Sequence, residues 1–388
     1  MVKTQNSLVS LVKCDTYEYD TVHAKTVKAI DYLGGFASLI KPNDRVFIKL
    51  NCVGPFEASK HITTHPAIFK AVVCEVLKIT SNIIVGDNPA TKDIVYTLKK
   101  NGLFDICEEF NLQILNGKDS INIYNEHAKI HKEFEVSKEM IEADVLINMP
   151  KLKTHSLAYI TCAEKNFFGF IYGLKKAGWH VKSNNPLQFG ESINDLYGAV
   201  LKAYSNKTII NICDGIVGLE GEGPSTGGSP KQANAIIASL DAVSLDRVAV
   251  EVMGLDYNKS FINTIANERN LGVGSLDYIS ILGDSLNSFK DIVFEAPKDS
   301  LSILGLRLLK IKPLRNLVLE HPVINHDKCL RCGECVKICP PHTMQIKKGK
   351  FPRLQTTKCI RCWCCAEVCP ANAISKSKRP IIGRIVFK

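Results

Sequence analysis

Short apolar runs alternate with stretches of helical period along most of the chain. Residues 7–13 read as a first strand, and Thr26 to Ile40 as a helix. The run Arg45-Val46-Phe47-Ile48-Lys49-Leu50 is a strand buried on both faces that ends at Asn51. His65-Pro66 opens an amphipathic helix through Ile79, and Asn82-Ile83-Ile84-Val85 is a strand ending at Gly86-Asp87-Asn88-Pro89. A helix over 91–102 and a strand from Leu112 to Leu115 follow. Asp144-Val145-Leu146-Ile147-Asn148 is a further strand, leading into Pro150-Lys151. A helix over 192–204 precedes the strand Thr208 to Ile212, which ends at Asp214-Gly215. Asn234 to Leu240 is a strand ending at Asp241, a helix covers 242–253, and Tyr278 to Leu282 is a last strand. This alternation predicts an α/β fold with a mainly parallel, doubly wound sheet. Residues 118–143 and 156–190 break it and read as insertions or a lid.

Beyond residue 298 the pattern changes. Leu301 to Leu319 places Arg307, Lys310, Lys312 and Arg315 among leucines, with Gly305 and Pro313 as interruptions. Such a basic apolar segment either lies on a membrane surface or packs against a domain, and packing is the expectation. Then comes Cys329-x-x-Cys332-x-x-Cys335-x-x-x-Cys339-Pro340, repeated as Cys359-x-x-Cys362-x-x-Cys365-x-x-x-Cys369-Pro370. This is the spacing of a bacterial two-cluster ferredoxin. Three cysteines of one loop curl around an iron–sulfur cube, and the fourth corner comes from the other repeat. The expected sets are Cys329, Cys332, Cys335 and Cys369 for one 4Fe–4S cluster, and Cys359, Cys362, Cys365 and Cys339 for the other. Zinc is the alternative for paired C-x-x-C units, but two identical four-cysteine runs exceed what zinc ribbons need. Cys364 breaks the shared spacing and is expected not to be a ligand. The expected organisation is an α/β domain over 1–298, a connector over 299–325, a small α+β ferredoxin-like domain over 326–377 and a basic tail over 378–388.

Charge sharpens this division. Residues 326–388 hold 14 Lys or Arg against 3 Asp or Glu, while the other 325 residues hold 35 against 36. Two oxidised clusters with their thiolates bring about −2 each, so the loaded domain stays positive. A basic face of this kind suits an acidic low-potential electron donor such as a ferredoxin or flavodoxin, or anionic lipid. Nucleic acid is not expected, because no aromatic interleaving or recognition helix accompanies the charge. Seven further cysteines are scattered without a disulfide framework. No apolar leader and no run of ~18 apolar residues is present, and a reducing cytoplasm is expected.

Candidate chemistry in the α/β domain sits just after the strands. Asn51, Asp87, Lys151, Lys153, His155, Asp214 and Asp241 each follow a strand run. In open α/β sheets the ligand crevice lies beyond the carboxyl ends of the strands. Asp87, Lys151 and Asp214 are therefore expected in one pocket, with Asn51, His155 and Lys165 near its rim and the cluster domain docked on that side. Each aspartate alone also reads as a helix cap or turn former. The loop Gly215-x-x-Gly218-x-x-Gly221-x-Gly223-Pro224 lacks both phosphate-loop fingerprints and reads equally as an anion nest or a plain loop. His61 and His65, without a nearby carboxylate in sequence, point only weakly to metal.

The runs Asp144-Val-Leu-Ile-Asn-Met-Pro-Lys-Leu-Lys-Thr-His155, Lys165-Asn-Phe-Phe-Gly169, Gly86-Asp-Asn-Pro89 and Asp214 to Pro224 resemble the domain-of-unknown-function 362 family over residues 8–290. The resemblance implies an iron–sulfur protein, often with a C-terminal two-cluster ferredoxin domain, and carries over no catalytic residue. Function is expected to be redox: electrons from a low-potential donor pass through the clusters to an unidentified small-molecule substrate in the cleft. Lys151, Lys165 and His155 are candidates for anion binding or proton donation, and Asp87 and Asp214 for proton transfer or metal binding. The alternatives are a non-catalytic electron-transfer or binding subunit, and a ligand-binding protein with structural clusters. A deep polar pocket at the strand ends would mark the enzyme, and a large exposed apolar patch the subunit.

Overall fold

The fold comes from a computed structural model that describes residues 6–89, 93–172, 179, 183, 185–297, 319–378, 380 and 381. The large domain carries strands β1 (Ser7–Lys13), β2 (Val46–Lys49), β3 (Ile83–Gly86), β4 (Gln113–Ile114), β5 (Ser120–Tyr124), β6 (Glu133–Ser137), β7 (Val145–Asn148), β8 (Lys151–His155), β9 (Tyr159–Thr161), β10 (Thr208–Gly221), β11 (Gly228–Ser239) and β12 (Ile279–Gly283). Ten of them form one sheet in the order β12-β1-β11-β10-β7-β2-β3-β4, with β8 on β10 and β9 on β8. The links from β10 through β4 are parallel, as are β8 on β10 and β1 on β12. β11 runs antiparallel to both its neighbours, because the β10–β11 connection is a hairpin. β5 and β6 make a separate two-stranded ladder inside the expected 118–143 insertion.

The period of two in the short strands builds two cores. Phe47, Ile84 and Leu146 enter one apolar cluster, and Val46, Ile48, Ile83, Val85, Val145 and Ile147 enter the other. Helices α1 (Tyr19–Asp31) and α2 (Pro66–Leu77) cover the second face. Helices α4 (Pro186–Ala203) and α5 (Ala242–Val252) cover the first, and the short α3 (Ala163–Asn166) lies under them. A sheet buried on both faces is the doubly wound arrangement.

Local chemistry moves several expected boundaries. The first helix begins at Tyr19, because Glu18 accepts hydrogen bonds from the amides of Asp20 and Thr21. It stops at Asp31 because Gly34 and Gly35 take φ of 105° and 82°. The glycine-rich stretch after Asp214 is no loop. Most of it is β10, which runs to Gly221 and turns into β11 at Gly228. Glycine is needed there for close approach: a Cβ on Gly218 would lie 2.8 Å from the carbonyl oxygen of Leu152. Lys151 to His155, expected after a strand, is itself strand β8.

The small domain pairs β13 (Pro322–Ile324) with β16 (Ile374–Lys376), and β14 (Met344–Gln345) with β15 (Arg353–Leu354). Its two short helices are α6 (Glu334–Lys337) and α7 (Cys364–Glu367). Its first strand thus precedes residue 326, since Pro322–Ile324 closes the ladder with the last strand. The connector segment 301–318 and the tail from 382 lie outside the described residues. No helix among the described residues is long and apolar enough to cross a membrane.

Candidate functional site

The two cysteine loops share one backbone. Arg331 and Arg361 have φ of 56° and 60°, Gly333 and Trp363 of 78° and 63°, His342 and Asn372 of 50° and 46°. Left-handed residues at matched places aim backbone N–H groups into a concave nest that favours negative charge. The amide of Arg361 points at Cys359 Sγ at 3.4 Å, and that of Ala373 at Cys369 Sγ at 3.2 Å. Cys329, Cys332, Cys335 and Cys369 surround a small void of about 20 Å³. Cys365 is buried next to cysteines of both sets, among them Cys335, Cys339 and Cys369. Cys364 packs with Ile338, Cys362 and Val368. Among the described residues no three His, Cys, Asp or Glu side chains converge as on a single ion. Thiols spaced around a void fit a cluster in which each iron takes a different thiolate.

Against this domain lies a cavity of about 110 Å³ at the carboxyl ends of the central strands. One wall is Asn51, Asp87, Lys153, His155, Lys165 and Phe168, and the other is Ile338, Cys364, Glu367 and Val368. Ile338 adjoins Cys339 in sequence, and Cys364 adjoins Cys365, so cluster-loop backbone forms part of the cavity. The domains are tied beside it: Ser225 Oγ donates to the carbonyl of Glu367 at 2.8 Å, and Thr226 Oγ1 to that of Cys369 at 3.1 Å.

The floor is built from groups that must be paired to be buried. Lys49, the last residue of β2, meets Asp87 at 2.8 Å and donates to the carbonyl of Leu50 at 2.8 Å. Asp87 also accepts from the amides of Cys52 and Asn88, both at 2.8 Å. Gly169 leaves room for this pair, since a Cβ there would lie 2.3 Å from Asp87 Oδ1 and 2.4 Å from Lys49 Nζ. An amide relay crosses the sheet ends beneath. Asn51 donates to Asn166 at 3.0 Å, Asn166 to Asn148 at 2.7 Å, and Asn148 to Asn211 at 2.8 Å. Asp246 fixes α3 by accepting from the amides of Ala163 and Glu164 at 2.6 and 3.0 Å. Burial and then Asp246 push the Glu164 carboxyl well above its ordinary value.

Three side chains face the cavity with chemistry to spare. Lys153 is fully buried, held by Asn51 Oδ1 at 2.6 Å and the carbonyl of Ile62 at 2.8 Å. Burial, then Lys165 and Lys151, bring it down to about 7. The Lys165 side chain makes no hydrogen bond among the described residues, and its Nζ lies 4.6 Å from the Phe168 ring centre and 5.4 Å from that of Phe189. Burial lowers its pKa, while Glu367 and Cys364 act in the opposite sense. His155 Nδ1 accepts from the amides of Leu157 and Ala158 at 3.0 and 3.2 Å. Its proton is therefore on Nε2, which faces Glu367 Oε1 at 3.7 Å. Burial raises the Glu367 carboxyl, opposed by Lys165 and Lys153.

Lys151 and Asp214 do not join Asp87 in this pocket. They form a separate pair at 2.8 Å, both fully buried, with Tyr17 donating to Asp214 at 2.7 Å and the His65 amide at 2.9 Å. Burial opposes the charge on Asp214, but Lys151, His65 and Tyr17 together more than offset it and leave the carboxyl below its usual range. The reason is position along β8. Lys151, Lys153 and His155 share one face of the strand. Lys151 stands at its start, paired with Asp214 across the ladder and held by Tyr17, while Lys153 and His155 lie farther along and reach the cavity. Sequence reasoning passed over Lys49, Glu367 and the importance of Lys153. A lysine inside the apolar run Val46-Phe47-Ile48-Lys49 was the available signal, because a buried lysine demands a partner.

The model of the domain of unknown function 362 family matches residues 46–251. The chain belongs to this family. A 4Fe–4S dicluster domain model matches residues 321–370, which makes the C-terminal domain an iron–sulfur, electron-transfer domain. A thylakoid-associated protein of Synechocystis sp. is 30% identical over 266 residues, covering 68% of this chain and 79% of that protein. Among solved structures, the lactate racemase apoprotein of Thermoanaerobacterium thermosaccharolyticum aligns with TM-score 0.35 and 14% identity, over 54% of this chain and 51% of that one. A structural-genomics protein of Thermotoga maritima aligns with TM-score 0.39 and 11% identity, over 66% of this chain and 60% of that one. The chain thus spans between half and two thirds of the length of those two proteins.

Proposed function

We propose that this family member binds two 4Fe–4S clusters and reduces a small anionic molecule in the pocket between its domains. The observation that carries this reading is the pocket itself. One wall holds strand-end residues able to bind an anion and move protons, and the other is the loop that carries Cys365. When bound, the clusters supply single electrons. Lys165 Nζ, without a hydrogen-bond partner among the described residues, binds the substrate's negative group in its protonated form, and Phe168 beside it takes an apolar part. Lys153 donates a proton to the reduced substrate, as its position at about 7 allows. His155 Nε2–H and Glu367 offer a second proton path. The Lys49–Asp87 pair and the asparagine relay hold these groups in place, and the docked small domain restricts water. Lys151 and Asp214 act as structure. The scattered free cysteines suit a reducing compartment such as the cytoplasm.

Anaerobic reconstitution tests the cofactor: about eight irons and eight sulfides per chain are expected, and two zincs would overturn it. A screen of reducible small carboxylates and oxyanions against the reduced protein tests the activity. Reoxidation by an anion, and not by its neutral amide, is the expected result.

A further inference from the structure

The two cysteine repeats share a backbone but present opposite surfaces. In the second, Arg361 is 7% exposed, and its guanidinium donates to the carbonyls of Glu320 and Cys359 at 2.8 and 3.2 Å. Glu367 and Cys364 of that repeat form pocket wall. At the matching places of the first repeat, Arg331 and Lys337 are exposed, and so is Cys332. Leu330 is 69% exposed. Arg331 Nη1 donates to the carbonyl of Gly349 at 3.3 Å, and its guanidinium lies 4.2 Å from the Phe351 ring centre. Those two residues belong to the connection between β14 and β15, which carries Lys347, Lys348 and Lys350, all exposed. Lys328 and Arg353 are exposed as well, and Asp327 is the exposed acid among these segments.

A basic surface that only offset cluster charge would be spread over both repeats, since each is expected to hold the same cluster. Here Lys358, the match of Lys328, is exposed in the second repeat, but Arg331, Lys337, Lys347, Lys348, Lys350 and Arg353 gather on the side of the first repeat, around the exposed thiol of Cys332. We infer that this surface docks an acidic, low-potential electron-carrier protein, so that electrons arrive at the first cluster and leave from the second into the pocket. This rests on the two-cluster reading above. Each encounter transfers one electron: the carrier is oxidised by one and the first cluster is reduced by one, with no bond or proton moved. Anionic lipid fits the charge but not its placement, because a membrane has no use for a thiol at the centre of the patch.

The probe is a reduced plant-type [2Fe–2S] ferredoxin, an acidic low-potential carrier. Binding of its oxidised form to the full reconstituted chain is measured by calorimetry, and cluster reduction by stopped-flow bleaching without any pocket substrate. The triple variant Lys347→Glu, Lys348→Glu, Lys350→Glu is expected to weaken binding and slow reduction at least tenfold at low salt. Lys100→Glu, exposed on the other domain, leaves both unchanged. Raising ionic strength to about 0.3 M removes most of the difference. Reduction by methyl viologen, a small cation, is not slowed by the triple variant. Equal binding and equal rates in the wild type and the triple variant overturn the inference. So does loss of binding to phosphatidylglycerol vesicles in the triple variant with ferredoxin reduction intact. Failure of the pocket reading leaves these results untouched, because no substrate is present.

Discussion

His155 and Glu367 meet across the domain seam, with Nε2 and Oε1 3.7 Å apart. One comes from strand β8 and the other ends helix α7, which contains Cys365. In the first repeat the residue matching Glu367 is Lys337, which is exposed and pairs with Glu334 at 3.0 Å. Glu367→Lys is therefore expected to set a third cation against Lys153 and Lys165 and to loosen the seam. Limited proteolysis between the domains should accelerate several-fold, with cluster content retained.

Lys153 gives a pH signature. In the folded chain it loses its proton near 7, against an ordinary value of 10.5. Below 7 both states hold the proton, and the buried charge costs stability. Between about 7 and 10.5 unfolding takes up a proton, so stability rises with pH, by up to about 1.4 kcal/mol per unit. Urea unfolding of the wild type relative to Lys153→Met should show this slope in that window, and a flat difference would count against it. Turnover that uses the Lys153 proton should fall as pH rises through about 7.

Gly169 is predicted to tolerate no side chain. A Cβ would clash with both members of the Lys49–Asp87 pair. Gly169→Ala should destabilise the α/β domain by about 1–3 kcal/mol and abolish ligand binding in the cavity. Denaturant unfolding and ligand titration check the two effects.

Lys151 and Lys165 should separate structure from chemistry. Lys151→Met strands a buried Asp214 and should cost about 3–5 kcal/mol. Lys165→Ala removes a cation without a hydrogen-bond partner among the described residues, so the fold should hold while anion affinity drops. Thermal unfolding and substrate binding, measured on both variants, read the contrast.

Cys364 and Cys365 divide in the same way. Cys364 packs with Ile338, Cys362 and Val368 and breaks the shared spacing, while Cys365 lies among Cys335, Cys339 and Cys369. Cys364→Ser should keep full iron and sulfide, and Cys365→Ser should lose one cluster. The reverse pattern in iron analysis and paramagnetic resonance would exchange their roles.

The sequence made the strands legible because buried parallel strands are short apolar runs. Val46–Lys49, Ile83–Gly86 and Val145–Asn148 stand where those runs placed them. It made the cysteine loops legible because ligand spacing is local. Lengths governed by distant contacts were not. β10 runs on to Gly221 only because β8 and β11 flank it. The cavity was half legible. Asn51, Asp87, His155 and Lys165 line it, but Lys151 and Asp214 are sealed behind as a buried pair at the start of a strand that resembled a loop. Glu367 could not be read at all as a pocket residue, since its position depends on how the two domains dock.

Under the proposed function, electrons leave the protein at the cavity beside Cys364 and Glu367. Single-turnover reoxidation of the fully reduced chain tests it most directly, using an anion that the screen identifies. Wild type and Lys165→Ala are compared with equal cluster content. Reoxidation at least tenfold slower in the variant is expected, with the difference recovered at saturating anion. Equal rates at every concentration would place the reaction elsewhere and contradict the account.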